Sequence, residues 1–395
     1  MPHKHPPKRS LKSLSPKGHL KRPVGYDSHE AHRPRLRTSN PLTVGGFGSG
    51  YFPMVPVQTI ATVPCELCGS QNVEIVATQD RDASPLQVVL CPQCGLVWND
   101  PRPGAEALAA YYREEYRQDY KGTLEPKPRH TLRAARVAVE RCRQLRDNLP
   151  RGEAVLDLGA GGGEVVYVLR QLGFDARGIE PNAGYARFAR ERLEVPVTSG
   201  SWQEALVEPG SLSAVTLFHV MEHLDSPLQA MRLIQGWLRT GGLLWIEVPN
   251  VEAVCQAPSH RFHRAHLYNF NDATLAALGR QAGFEVVRTF TSADGGNVTA
   301  VLRKTEHPVA ATPSLPGNAN HIRGIIQAHT QLRHCLSAAP FLRPLRKLRQ
   351  RVSETIGLLG KKTPKELMDR VIREAFHSGV LSVVIDLSEL AAAAI

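Results

Sequence analysis

Three groups of residues in this chain have types and spacings that could do chemistry. The first is a pair of acids around a glycine turn. Asp157 lies in the apolar run Val155 to Leu158, and Gly159, Gly161 and Gly163 follow at alternate positions. Glu180 ends the next apolar run, 180 − 157 = 23 residues beyond Asp157. Glycines at that spacing let the backbone turn tightly and let a ligand approach without a Cβ in the way. An acid about 20 residues beyond such a turn, at the carboxyl end of the neighbouring strand, takes the two ribose hydroxyls of a nucleoside-like ligand. A dinucleotide turn needs G-x-G-x-x-G, and counting from Gly159 the sixth position is Glu164. A carboxylate there would repel a pyrophosphate, so the turn suits a nucleoside without phosphate.

The second group is four cysteines. Cys65-Glu-Leu-Cys68-Gly and Cys91-Pro-Gln-Cys94-Gly are matching knuckles separated by 22 residues. Four thiolates make a closed tetrahedral zinc site with no open position, so a structural Zn2+ is expected rather than a catalytic one. Cys142, Cys255 and Cys335 are scattered. That usage fits a reducing compartment better than a disulfide framework, and a cytoplasmic location is expected.

The third group is rich in histidine: His219, Glu222 and His223 in one cluster, then His260, His263, His266 and Tyr268. Histidines near neutral pKa suit proton removal. Metal binding by the triplet 260, 263 and 266 lacks a matching helix spacing, so substrate contact or loop packing is the favoured reading. Glu222 and His223 also admit a plainer role, fixing a loop before the next helix.

The elements that must position these groups alternate. Strands are predicted at 154–158, 175–179, 195–198, 213–218, 243–248, 284–290 and 297–303. Helices are predicted at 164–172, 182–192, 227–238 and 272–282. That alternation is an α/β, mostly parallel, doubly wound sheet. Ser226 is placed as N-cap and Pro227 in the first turn of the third helix, which is expected to stop at Gly241-Gly242. Asp294-Gly-Gly-Asn297 signals a closing hairpin. Gln87 to Leu90 reads as a strand between the knuckles. Helices are expected over Ala105–Tyr120, with Tyr111, Tyr112 and Tyr116, and over 129–148. In the latter, Val137 and Leu145 form the apolar side, and Arg133, Arg136, Arg141, Arg143 and Arg146 form a solvated face.

The chain has 395 residues and a net charge of +11. Residues 1–40 carry +8 of it, so the basic character belongs to a tail rather than to the body. Residues 1–53 are expected to be a disordered basic tail, without the apolar core of a secretory signal. The composition change near Met54 equally fits a native start there. No run of 18 apolar residues suggests a transmembrane helix. The domains expected are the tail, a zinc ribbon at 60–104, linking helices at 105–150, an α/β domain at 151–304 and a helical C-terminal appendage at 305–395. In the appendage, a basic helical segment His321–Val352 is expected to break at Pro340 and Pro344. A second helix is expected at Pro364–Phe376, and an apolar run follows at Val380–Leu387. A packing role is favoured there over a lid, an interaction element or a membrane-surface helix.

Residues 64–304 resemble the zinc-ribbon-fronted class I S-adenosylmethionine-dependent methyltransferases of the type 11/23 kind. The resemblance is carried by the two knuckles with Cys94-Gly-Leu-Val-Trp and Pro101-Arg-Pro, by Asp157-Leu-Gly-Ala-Gly-Gly-Gly and by Ile179-Glu180-Pro. His219-Val-Met-Glu-His-Leu224, Leu238-Arg-Thr-Gly-Gly242, and His266-Leu-Tyr-Asn-Phe270 before Ala282-Gly-Phe284 complete it. It departs at Thr240, where the family has proline, and at Ser201-Trp202, where an acid is common.

The resemblance implies a Rossmann-like seven-stranded sheet and S-adenosyl-L-methionine as cofactor. Asp157, Gly159, Gly161, Gly163, Glu180, Ser201, Trp202 and His219 would lie against that cofactor, with Ser201 or Trp202 on the adenine. His219, Glu222, His223, His263 and His266 are the candidates for acceptor-side catalysis, with His219 first choice as base or cofactor wall. The ribbon also resembles that of deoxysugar C-methyltransferases, but their Gln-Pro-Leu-Ala insertion is missing, and that activity is not assigned. The acceptor expected is a small molecule or glycan-type compound at O, C or N. A nucleic-acid or ribosome-associated acceptor, or a non-catalytic zinc adaptor, is the less favoured reading.

Overall fold

The computed structural model describes residues 58–60, 62–104, 108, 110–111, 125–307, 314–360 and 362–381. The basic tail, most of the helix expected over 105–120 and the run beyond Leu381 lie outside the described residues.

Seven strands form the main sheet: β5 (Ala154–Leu158), β6 (Asp175–Glu180), β7 (Val197–Ser199), β8 (Leu212–Phe218), β9 (Leu238–Pro249), β11 (Phe284–Thr291) and β12 (Asn297–Lys304). Their spatial order is β11-β12-β9-β8-β5-β6-β7. The five strands β5 to β9 pair in parallel, and β12 runs antiparallel to both β9 and β11. The chain winds outward from β5 to β7, then returns to β8 on the other side of β5. Loops at the carboxyl ends of β5 and β8 therefore diverge, and ligands bind at such a switch point.

β8 is buried at all seven positions, as a central parallel strand covered on both faces must be. Its residues alternate between two cores. Val215 and Leu217 face α4 (Pro227–Trp237) and α5 (Asp272–Gln281). Ala214 and Phe218 face α1 (Pro128–Arg146), α2 (Glu164–Gln171) and α3 (Ala183–Arg192).

A second sheet orders β1 (Gln58–Ile60), β2 (Asn72–Gln79), β3 (Pro85–Leu90), β4 (Val97–Asn99) and β10 (Tyr268–Asn269). The ribbon thus borrows a strand from the main domain: Tyr268 pairs with Trp98 and Asn269 with Val97. Leu67, Leu96 and Trp98 of the ribbon share one core with α4 and α5. Glu66, inside the first knuckle, binds the start of α4. Its Oε1 accepts from Ser226 Oγ at 2.6 Å and from Leu228 N at 2.9 Å. Ser226 is the N-cap residue, but the capping acceptor is Glu66 rather than its own hydroxyl.

Several expectations need correction. α4 ends at Trp237, and Gly241-Gly242 lie inside β9. Leu238, fully buried, pairs with Leu212 instead of adding a helical residue. α8 (Ala339–Gly357) is not broken by proline. Pro340 sits in its first turn, where no N–H is needed, and Pro344 forfeits a single bond to that turn. Val137 of α1 is 42% exposed, whereas Leu145 is buried. The arginine face of α1 is only partly solvated. Arg133 pairs with Glu354 at 2.8 Å, and Arg141 turns inward.

The C-terminal segment packs on both units of structure. α6 (Asn318–Ala328) sits on the ribbon. There Asn318 Nδ2 donates to Cys94 O at 2.8 Å, and Arg323 grips the buried Glu74 through two 2.7 Å bonds. α9 (Pro364–His377) buries Leu367, Met368, Val371 and Ile372, and Met368, Val371 and Ile372 share the core of α1 and α2. Among the described residues, no helix is long and apolar enough to cross a membrane.

Candidate active site

A crevice of about 1230 Å³ opens at the carboxyl ends of β5, β6, β8 and β9. One wall is the glycine turn after β5. Gly159, Gly161 and Gly163 have φ of +75°, +55° and +84°. A Cβ on Gly159 would stand 2.4 Å from Val220 Cγ2, so the turn is wedged against the loop after β8. Gly159 N and Ala160 N both donate to Ile179 O, at 2.8 and 2.9 Å. Gly161 N donates to Glu180 Oε2 at 2.8 Å, and Asn182 N reaches Glu180 Oε1 at 3.3 Å. The Glu180 carboxylate is therefore fixed against the turn. Asp157 is buried and accepts from Thr216 Oγ1 at 2.6 Å. Burial raises its pKa to about 7, against the lowering pull of Thr216 and Arg141.

Asp157, Gly159, Gly161, Glu180, Ser201, Trp202 and His219 all line the crevice. Gly163 does not. It caps α2, and its missing Cβ leaves room for Ala189 and Val195, both 2.8 Å from where that atom would lie. Ser201 N and Oγ both bind Glu204 Oε2, at 2.9 and 3.0 Å. An acid thus stands three residues after the position where the sequence lacks one.

The opposite wall is built from charged and imidazole side chains. His219 follows β8 with φ of +59°, an uncommon conformation for a residue with a side chain. Its N–H donates to Glu247 O at 2.8 Å. Its ring lies between two acids, with Nδ1 3.4 Å from Glu222 Oε1 and Nε2 3.3 Å from Glu247 Oε1. Burial opposes the charge on His219, but the two carboxylates outweigh it and raise its pKa to about 9. Burial likewise opposes charge on Glu222 and Glu247. The surrounding cations win, and both carboxyls sit at about 2. Arg141 extends the chain of charges, 2.5 Å from Glu247 Oε1 and with its guanidinium over the Phe218 ring.

His223 and Glu222 share the short turn Met221–His223. His223 Nδ1 donates to Ala265 O at 2.7 Å, which turns Nε2 toward Glu222, 3.7 Å from its Oε1. His266 stands edge-on to His223 and to His263, with ring centroids 5.0 and 5.2 Å apart. Burial lowers His266 to about 3 and His263 to about 4, helped by neighbouring positive groups. Both are neutral at pH 7.

The structure brings Glu222, His223, His263 and His266 together and leaves out two residues of the expected second cluster. His260 is exposed at the rim. Tyr268 stacks on Phe270 in the ribbon sheet and does not line the crevice.

The four ribbon cysteines fit a metal. All four sulfurs lie within 4.8 Å of one another, with Cys65–Cys94 at 3.5 Å and Cys68–Cys91 at 3.4 Å. Zn–S bonds of about 2.3 Å require such a cluster. Cys65, Cys68, Cys91 and Cys94 would hold the ion and tie the knuckles together.

Residues 129–289 match a family described as a methyltransferase domain. Over these residues, which hold β5 to β9 and the glycine turn, the chain is similar to that methyltransferase domain. Among curated proteins it is similar to a ubiquinone biosynthesis O-methyltransferase of Xanthomonas campestris. The two are 31% identical over 130 residues, covering 31% of this chain and 53% of that one. A Bordetella avium protein of the same name is 27% identical over 181 residues, covering 40% of this chain and 72% of that one. The chain spans about half the length of the first of these. Among solved structures it is similar to a SAM-dependent methyltransferase of Archaeoglobus fulgidus, at 16% identity and a TM-score of 0.39, covering 48% of this chain and 98% of that one.

Within this crevice, sequence reasoning missed Arg141, Thr216 and Glu247. Glu247 carried a signal: an acid in the otherwise apolar strand Leu-Leu-Trp-Ile-Glu-Val. Arg141 carried none, being one arginine among many on α1.

Proposed function

We propose that the protein transfers the methyl group of S-adenosylmethionine by in-line displacement to an oxygen of a small-molecule or glycan-type acceptor. The observation that carries this reading is the pairing of two walls across one crevice. On one, a buried carboxylate is held at the glycine turn; on the other, a cluster of histidines surrounds a buried acid. The relatives named O-methyltransferases support oxygen over carbon or nitrogen.

The turn fits the cofactor. In this reading Glu180, held by Gly161 N, accepts from a ribose diol, and Trp202 stacks on adenine. Glu164, buried beside the turn, is compatible with a ligand that has no phosphate. Bound there, the cofactor supplies an electrophilic sulfonium methyl.

The chain's own residues do the rest. His219, held as an imidazolium between Glu222 and Glu247, lacks a lone pair, so it serves as a wall and hydrogen-bond donor rather than the base. His223 takes the acceptor's proton at Nε2, and Glu222 stabilises the imidazolium that forms. Such a base contributes about 10²–10⁴-fold. Alignment of the acceptor behind the methyl contributes up to roughly 7–11 kcal/mol in the best cases.

The test is a panel of catechols, phenols, hydroxy acids and sugars incubated with methyl-labelled cofactor and read by NMR. Labelled methyl ethers are expected. Retained cofactor with no product from any acceptor would leave the adaptor reading in place instead.

A further inference from the structure

We propose that Glu222, His223 and His266 form a second metal site, for a divalent first-row transition ion, on the acceptor wall of the crevice. Their ligand atoms lie within 4.8 Å of one another. One carboxylate oxygen and two imidazole nitrogens make the mixed donor set that leaves open positions on such an ion, as in the two-histidine, one-carboxylate triads.

Three further observations support it. The Glu222 side chain is 2% exposed, and neither of its oxygens has a hydrogen-bond partner within normal distance and angle. His219 and His223 balance its charge from 3.4 and 3.7 Å without completing a hydrogen bond, which leaves both oxygens open to a metal ion. His223 is oriented as metal-bound histidines are: its other nitrogen donates to a backbone carbonyl, Ala265 O, which fixes Nε2 as the ligand atom. His266 also lines the crevice, so the open positions of the ion face the space where the acceptor would lie.

The charges that face this point are His219, 3.4 Å from Glu222 Oε1, then Glu247 and Arg141 behind it. His219 competes with an ion for the same carboxylate oxygen. Metal–ligand bonds of about 2.1 Å set neighbouring donor atoms about 3 Å apart, so binding draws the three side chains together by rotation. The site differs in kind from the ribbon. Four thiolates close the coordination of a soft ion, whereas two imidazoles and a carboxylate accept Mn2+, Fe2+ or Co2+ and leave room for substrate oxygens. An acceptor with two adjacent oxygens, such as a catechol or a 2-hydroxy acid, would chelate the ion, and the ion would then acidify one hydroxyl in place of His223, whose Nε2 is taken up as a ligand. That role rests on the methyl-transfer reading; binding of the ion does not.

The experiment uses the full chain with its ribbon zinc in place and Mn2+ as the probe, because thiolate sites disfavour it. Mn2+ electron paramagnetic resonance should report one bound ion per chain. Glu222→Gln and His266→Asn should each weaken it by at least about 10–100-fold, the loss that even an outer partner of a metal ligand costs. Ribbon zinc by elemental analysis and cofactor affinity by calorimetry should stay within about twofold of wild type. The two variants serve as alternates should one fail to fold. Failure of wild type to bind Mn2+, or wild-type Mn2+ affinity in both variants, overturns the site. Loss of Mn2+ binding with methyl transfer unchanged would keep the site and remove its role. Absence of any methyl transfer while the ion still binds would count against the proposed function alone.

Discussion

On the glycine wall, most fixed contacts come from backbone N–H groups and acids of one stretch, residues 157–182, with Thr216 reaching in from β8 to Asp157. On the histidine wall, side chains arrive from α1, from the loops after β8 and β9, and from β9 itself. The first wall is neutral in its donors and set by φ angles. The second is a row of alternating charges, Arg141, Glu247, His219 and Glu222, set by the packing of distant segments. A backbone cradle recognises a ligand that does not vary. A side-chain cluster can be altered residue by residue without disturbing the sheet.

The comparison breaks most severely at Gly159. Gly159→Val adds atoms where Val220 already stands and forces φ of +75° on a β-branched residue. Cofactor affinity should fall more than about 100-fold by calorimetry, since a strained, displaced turn forfeits several kcal/mol. Near-normal affinity would mean that the turn is not the cradle. Next in size is Glu222→Gln on the other wall. Turnover should fall by about 10²–10⁴-fold, with cofactor affinity unchanged. Equal losses in both quantities would show that the walls are one unit.

The walls also differ in how they respond to pH. His219 is raised from 6.5 to about 9. Its contribution to stability is complete below pH 6.5 and lost as pH rises through 9. His266 and His263 are lowered from 6.5 to about 3 and about 4. Their contribution is present above pH 6.5 and lost as pH falls through those values. The melting temperature should therefore peak near pH 6.5, and Glu247→Gln should flatten the alkaline limb while removing, below pH 4.5, the acid-side contribution of its own lowered carboxyl. An alkaline limb of unchanged slope in that variant would detach His219 from Glu247. The smallest effect is at the ribbon contact. Glu66→Ala removes the acceptor at the start of α4 and should cost about 1 kcal/mol in denaturant melts, as the loss of a helix cap does.

Legibility in the sequence followed the same division. Asp157, the glycines, Glu180 and the strands around them are contiguous, and their spacing encodes a turn that only certain residues can make. Most strand ends moved by a residue or two and the start of β9 by five, because pairing with a neighbour decides them, as Leu238 opposite Leu212 shows. The cysteine knuckles were legible for the same local reason. The histidine wall was legible only as residue types. Nothing in the spacing of 222, 223 and 266 says that they meet, since β9 and the strand lent to the ribbon sheet bring them together. Tyr268 looked like a partner by proximity in sequence, yet alternation along β10 turns it into the ribbon core. Arg141 lines the crevice from α1 and reaches Glu247, which periodicity among five arginines cannot single out.

The central claim is that the crevice beside Gly161 and Glu180 takes a phosphate-free sulfonium nucleoside. Calorimetric titration of the wild-type protein with S-adenosylhomocysteine, against NAD+ and ATP, tests it most directly. The account predicts saturable one-to-one binding of the thioether nucleoside and none of the two phosphate-bearing ligands. Binding of NAD+ or ATP in its place would contradict it.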